Sequence, residues 1–154
     1  VSQVTLSFTI QGDSEGFVTF ECPFCSSEFK VRADELQHDD KPVMDLFCPY
    51  CGLTSDKNNF YTKETVEKIE ALAMNYAIEQ LNKTFGKMAR NINRTSKGVI
   101  KMDFKPLKTV NVRELKDRDT TEEIFACSCC EQHVKVLYCA GVSKVYCPYC
   151  GVDM

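Results

Sequence analysis

The chain has no apolar run near the roughly 20 residues that a membrane-spanning helix needs. Across its 154 residues it also lacks a glycine-rich phosphate loop, a nucleophile elbow and a His-Glu-x-x-His stretch. Those absences remove the membrane-helix class and the motif-bearing nucleotide-binding, hydrolase and metalloprotease classes, so no catalytic residue is assigned and a non-enzyme is expected. Histidine is scarce: His38 and His133 are the only two, neither is needed as a metal ligand, and both read as surface or strand residues. Residues 1–11 alternate like a strand and have neither a basic leader nor a long apolar core, so no secretory signal is read. The expectation is an intracellular, cytoplasmic, reducing setting, where cysteines remain thiols.

What the chain has is ten cysteines, eight of them in a repeating order. Cys22 and Cys25 are followed by Cys48 and Cys51. Cys127 and Cys130 are followed by Cys147 and Cys150. Two CxxC pairs in succession are the spacing of a four-thiolate metal site. Two structural Zn2+ ions are therefore expected, one on each set. Iron also suits four thiolates. Thiol–disulfide chemistry is disfavoured, because no thioredoxin-like strand–helix pattern surrounds the pairs. Gly52 and Gly151 follow the second pairs, where a positive φ would ease the turn, and Pro23, Pro49 and Pro148 stiffen the knuckles. Cys129 and Cys139 are spare: Cys139 reads as a small buried residue, and Cys129 sits inside a knuckle where it could exchange as a ligand.

Cys48-Pro-Tyr-Cys51-Gly52 and Cys147-Pro-Tyr-Cys150-Gly151, each preceded by a CxxC, resemble the zinc-ribbon superfamily, with knuckles similar to those of rubredoxin and of transcription-factor ribbons. The likeness covers residues 22–52 and 127–151. It implies structural zinc and a ribbon fold. It leaves function open, since such ribbons act in transcription, replication, RNA processing and protein assembly. The second copy departs from the pattern: its first knuckle lacks proline and holds Cys129.

The rest of the pattern gives an α+β chain: two small antiparallel zinc-ribbon modules joined by a long amphipathic helix and a short β segment. The parts are 1–60, 61–121 and 122–154. Strands are expected at Val4–Ile10, Phe17–Phe20, Glu28–Arg32, Asp45–Phe47, Val99–Lys105, Thr109–Leu115, Glu123–Ala126, His133–Tyr138 and Lys144–Tyr146. Residues 113–123 read as a charged linker. The helix is expected from about Thr62, a plausible N-cap, to about Asn91. Its apolar residues change face: Val66, Ile69, Leu72, Ala73 and Tyr76 in the first half, then Leu81, Phe85, Met88 and Ile92. Leu81, Phe85 and Met88 are candidate interface residues, facing either an internal core or a second protomer.

Charge is patterned along the chain. Residues 1–60 hold 4 basic and 10 acidic side chains, residues 61–118 hold 13 and 7, and residues 119–154 hold 2 and 5. The formal net charge is −3, and two dications on eight thiolates would make it more negative. Within the basic centre, Lys83, Lys87, Arg90 and Arg94 fall on one helix face, and Lys97, Lys101, Lys105 and Lys108 continue the run. The leading expectation is a non-catalytic protein that contacts nucleic acid through this stripe. The alternatives are an adaptor or scaffold subunit in a protein complex, an acidic surface as the stripe's partner (Asp34, Glu35, Asp39 and Asp40 being internal candidates), and a solvated face complementing the helix dipole.

Overall fold

A computed structural model of the chain describes residues 4–37, 42–117, 119, 122–137 and 144–154. The fold is mixed α+β, with antiparallel sheets and one long helix. The chain forms two compact units: one of residues 9–65 and 114–154, the other of residues 1–8 and 66–113. Both cysteine-rich segments belong to the first of these units.

That first unit is built on a four-stranded sheet in the order β1-β2-β6-β5. β1 (Phe17–Glu21) and β2 (Glu28–Arg32) flank the first CxxC, and β5 (Glu123–Ala126) and β6 (His133–Val136) flank the third. The two hairpins join through β2 and β6, with Lys30 opposite Lys135 and Val31 opposite Val134. β3 (Asp45–Phe47) and β4 (Thr54–Asp56) form a second, two-stranded sheet around the second CxxC. The fourth CxxC is framed more lightly, by a single antiparallel bridge between Tyr146 and Asp153. A short helix, α1 (Ala33–Leu36), follows β2, and a 3-10 turn over Lys57–Phe60 follows β4.

The core lies where the two hairpins meet. Phe29, Val31, Val134 and Val136 are fully buried, with Leu46, Phe60 and Val145 beside them. Phe29 meets Phe60 edge-on at 5.9 Å, and Tyr61 stacks on Phe20 at 5.8 Å. Full burial of such side chains stabilises by about 1.5–3 kcal/mol each. Lys30 and Lys135 interrupt the apolar run and are buried as well. Asp13 explains them. Its Oδ2 accepts from Lys30 Nζ at 3.3 Å and Lys135 Nζ at 2.9 Å, while Glu15 also pairs with Lys135.

The second unit is organised by α2 (Lys63–Thr95). Thr62 caps it as expected: its Oγ1 accepts from the Thr65 N–H at 3.3 Å. The expected strands at Val4–Ile10, Val99–Lys105 and Thr109–Leu115 are absent, and the short β segment of the sequence reading is corrected accordingly. The reason in the 99–110 stretch is a different hydrogen-bond partner. Asn93 accepts from the Met102 N–H and donates to the Met102 carbonyl; Asn82 does the same with Leu107, and Asn75 with Val110. Each asparagine amide acts as a peptide group, so α2 takes the place of a neighbouring strand. The spacing makes this possible. Seven and eleven residues apart, the three asparagines lie within about 20° on the helix. Helical rise separates them by about 10 and 16 Å, and three and five extended residues cover about the same distances. Phe104 sits on Phe85 between two rungs, with ring centroids 5.9 Å apart.

No helix among the described residues is long and apolar enough to cross a membrane.

Candidate metal centres and basic helix face

All four CxxC turns fold alike. The first cysteine's carbonyl accepts from the N–H four residues on, and its N–H donates to the carbonyl five residues on. The four pairs are Ser26 and Ser27, Gly52 and Leu53, Glu131 and Gln132, and Gly151 and Val152. The residue after each second cysteine has a positive φ: 57° at Ser26, 73° at Gly52, 59° at Glu131 and 70° at Gly151. Glycine adopts this freely, whereas serine and glutamate do so at a cost. The turn aims N–H groups at sulfur. Phe24 N–H donates to Cys22 Sγ, Tyr50 N–H to Cys48 Sγ and Cys129 N–H to Cys127 Sγ, each at 3.4 Å.

The eight predicted cysteines converge as two groups of four: Cys22, Cys25, Cys48 and Cys51, then Cys127, Cys130, Cys147 and Cys150. Within each group the sulfurs lie within 4.8 Å of one another. Cross-pair separations are 3.8 Å for Cys22–Cys51, 3.7 Å for Cys25–Cys48, 3.6 Å for Cys127–Cys150 and 3.5 Å for Cys130–Cys147. A tetrahedral ion with bonds near 2.3 Å would set its sulfurs about 3.8 Å apart. Each group therefore fits a metal ion with four thiolate ligands.

The thiols are electrostatically at odds with one another. Burial pushes Cys48 and Cys147 well above the ordinary thiol range. Burial also opposes ionisation of Cys25, but hydrogen bonds from Ser27 outweigh it and bring the thiol down to about 7. Cys127 falls to about 7 against burial, through the N–H groups of Cys130 and Cys129. Four thiolates this close repel one another, and a divalent cation offsets that repulsion.

Cys129 and His133 belong to neither group of four. Cys129 is exposed and outside the group of four. His133 lies in β6, where Glu35 accepts its backbone N–H at 2.9 Å and Glu35 Oε1 approaches its Nδ1 at 2.8 Å. His38, Asp39, Asp40 and Cys139 lie outside the described residues.

The two centres are physically joined, which spacing alone could not reveal. Phe47 N–H donates to the Pro148 carbonyl at 2.8 Å, and Tyr146 N–H donates to the Pro49 carbonyl at 2.9 Å. The aromatic rings cross with them. A Cβ on Gly52 would lie 3.1 Å from the Tyr146 ring, and one on Gly151 would lie 2.9 Å from the Phe47 ring. Each glycine thus makes room for the other knuckle's aromatic residue. Tyr50 adds a tie: its hydroxyl donates to the Glu28 carbonyl and accepts from the Leu137 N–H.

The basic residues lie in the other unit. Lys83, Lys87, Arg90, Arg94, Lys97, Lys101, Lys105 and Lys108 are all exposed. Lys87, Arg90, Asn91 and Arg94 line an open hollow of about 480 Å³ on α2. Among the described residues none of the eight forms an ion pair. Of the acidic residues considered as internal partners, Asp34 pairs with Arg32 and Glu35 with His133. Leu81, Phe85 and Met88 are exposed too.

Asn75, Asn82 and Asn93 are functional in the fold without standing out as a motif. Their signal was available: asparagine is a poor helix former, and three of them recur at helical spacing in α2. Comparison with protein-family models, with curated proteins and with solved structures returned no match.

Proposed function

We propose that this chain is a non-catalytic binding protein whose paired four-cysteine centres are zinc ribbons and whose basic helix face contacts nucleic acid. Zinc is the favoured ion because four converging thiolates at tetrahedral spacing are its structural coordination set. Such a set leaves no open position for water, so the metal's role is to hold the fold. Thiolate centres of this kind suit a reducing compartment.

One observation carries the nucleic-acid reading: a row of exposed cations without acidic partners among the described residues, at helical spacing, around an open hollow. In the row Lys83, Lys87, Arg90 and Arg94, the last lies 11 positions after the first, or about 16 Å along the helix. Phosphates recur every few ångströms along a nucleic-acid strand, so such a row meets several at once. The reading makes no claim of base recognition, because Phe85 and Phe104 pack on each other.

The test is binding to single- and double-stranded DNA and RNA across a salt series, with metal content measured on the same samples. The expected result is affinity that falls steeply with salt, two zinc ions per chain, and loss of binding in Lys87→Glu/Arg90→Glu. Absence of binding at low salt, or binding indifferent to salt and to these changes, rejects the reading and leaves the adaptor role.

A further inference from the structure

Of the four asparagines on α2, Asn75, Asn82 and Asn93 hold the strap. Asn91 does not. It is exposed, its carbonyl accepts from Thr95 Oγ1, and among the described residues its side-chain amide has no partner. Asparagine is a poor helix former, and this amide returns no hydrogen bond to the helix. With Lys87, Arg90 and Arg94 it lines the open hollow. At the helix period Lys87, Asn91 and Arg94 fall within about 60° of one another, and Lys83 and Arg90 flank them on one side. The strap asparagines lie about 120–140° around the helix from Lys87, and Phe85 lies about 160° from it. Neither the strap nor the Phe85–Phe104 pair therefore covers this face.

We infer that this face reads the major groove of B-form duplex DNA, with the Asn91 amide on the edge of an adenine. The inference rests on the nucleic-acid reading of the basic face and names the kind of nucleic acid. Cations alone position a protein on phosphates and carry no sequence information. A free amide among them adds a donor and an acceptor, which match the N7 acceptor and N6 donor of adenine in the major groove. Shape agrees with this. An α-helix with its side chains is about 10–12 Å across, and the B-DNA major groove is about 12 Å wide. From Lys87 to Arg94 the helix rises about 10 Å, close to three base-pair steps. Residues 80–95 hold no acidic side chain to repel the flanking phosphates. Lys83 and Arg90, at the edge of the face, are set for those phosphates, and Arg90 is steadied by its Nε donating to the Gly86 carbonyl at 3.2 Å. Other nucleic acids match this face less well. The major groove of A-form RNA is too deep and narrow for side chains to read. Single strands are held by bases stacked on aromatic rings. The one aromatic residue between positions 80 and 95 is Phe85, on the far side of the helix and packed on Phe104.

The test compares binding of the metal-loaded full chain to duplex DNA, duplex RNA, and single-stranded DNA and RNA of equal length. Bound duplexes are then selected from a random-sequence DNA pool. Duplex DNA is expected to bind several-fold more tightly than the others at equal salt. The selected duplexes are expected to share an adenine, and replacing that base pair is expected to weaken binding about 5- to 150-fold. Asn91→Ala is expected to erase the preference while metal content and salt slope stay unchanged. A deaza analogue of that adenine lacking N7 is expected to weaken binding to the wild-type chain but not to Asn91→Ala. Lys83→Ala is expected to weaken all duplexes alike and to lower the salt slope by about one. Failure of every nucleic acid to bind at low salt overturns this inference and the basic-face reading together. Salt-steep binding that is equal for single strands or duplex RNA overturns the major-groove contact alone and leaves the basic-face reading standing. So does a base preference that is absent, or that survives Asn91→Ala.

Discussion

Lys30 and Lys135 stand opposite each other across the β2–β6 seam, and both ammonium groups reach the same oxygen of Asp13. Two like charges at a buried register point would separate the hairpins unless an anion joined them. Asp13 is held ready for that. Its other oxygen accepts from the N–H groups of Phe17 and Glu15, so the turn before β1 fixes the carboxylate at the seam. Asp13→Asn should therefore cost about 3–5 kcal/mol, because it removes the carboxylate that both buried ammonium groups share and leaves Glu15 on Lys135 alone. Denaturant unfolding of metal-loaded protein measures this. A loss below about 1 kcal/mol, the usual worth of an exposed pair, would mean that Glu15 alone neutralises the two lysines.

The same carboxylate gives a pH dependence with a definite sign. Burial raises its pKa, but hydrogen bonds from Lys135, the Phe17 N–H, Lys30 and the Glu15 N–H outweigh that and bring it from 3.8 to about 2. The folded state thus holds the ionised form more strongly than the unfolded chain does. Its contribution is complete above about pH 4 and is lost as pH falls through about 2. The stability gap between wild type and Asp13→Asn should be constant above about pH 4 and narrow by about 2 kcal/mol below it. A gap that narrows instead between about pH 5 and 7, the range of a histidine, would assign the dependence to another group.

The four knuckles share one backbone turn but not one environment, and that difference predicts opposite responses to mutation. Gly151 combines a φ of 70° with a Phe47 ring 2.9 Å from where a Cβ would sit. Gly151→Ala should destabilise by about 2–4 kcal/mol, from backbone strain together with overpacking. Glu131 has a φ of 59° and is exposed. Glu131→Gly should raise stability by up to about 1 kcal/mol by relieving the strain. Paired thermal unfolding curves decide the matter. Equal effects of one sign would show that the rings of Phe47 and Tyr146 do not set the glycine positions.

How much of this the sequence disclosed follows from the range of each interaction. The eight clustered cysteines and the positive φ at Gly52 and Gly151 follow from CxxC spacing, and they were legible. The hairpin strands on either side of Cys22 and Cys127 were legible for the same reason. The join between β2 and β6 was hidden, because Val31 and Val134 lie 103 positions apart and alternation marks a buried face without naming its partner. Strand alternation does not place Lys30 and Lys135 in the interior; only Asp13 beside them accounts for their burial. The strap at 99–110 overlaps the two expected strands, Val99–Lys105 and Thr109–Leu115, because extended backbone alternates whether its partner is a strand or a row of asparagines.

That row offers a test with local resolution. Asn82 makes both hydrogen bonds to Leu107, at 2.8 and 2.9 Å, on an exposed part of the helix. Asn82→Ala should cost only about 1–2 kcal/mol while freeing the Leu107 amide. Hydrogen exchange is expected to speed up at Leu107, with smaller changes at Met102 and Val110, which keep Asn93 and Asn75. Uniform acceleration across residues 102–110 would show that the three rungs act as one unit. Unchanged exchange at Leu107 would mean that packing of Phe104 on Phe85 holds the strap unaided.

Contact between the two four-cysteine groups is the consequence of the fold that the repeated motif conceals most completely. As two independent modules, each would lose its metal alone: Cys48→Ser would unfold the first and spare the second. The structure joins them through the Phe47–Pro148 and Tyr146–Pro49 hydrogen bonds, the crossed rings on Gly52 and Gly151, and one continuous sheet. Metal binding supplies folding free energy to a small centre, so loss at one site should withdraw support from the other. Cys48→Ser should leave about one metal ion per chain and lower the chelator concentration that strips it. In wild type, stepwise chelation should release both ions in a single transition. Two separate release steps, with the second centre's midpoint unchanged in Cys48→Ser, would show that the contacts between the knuckles transmit no stability.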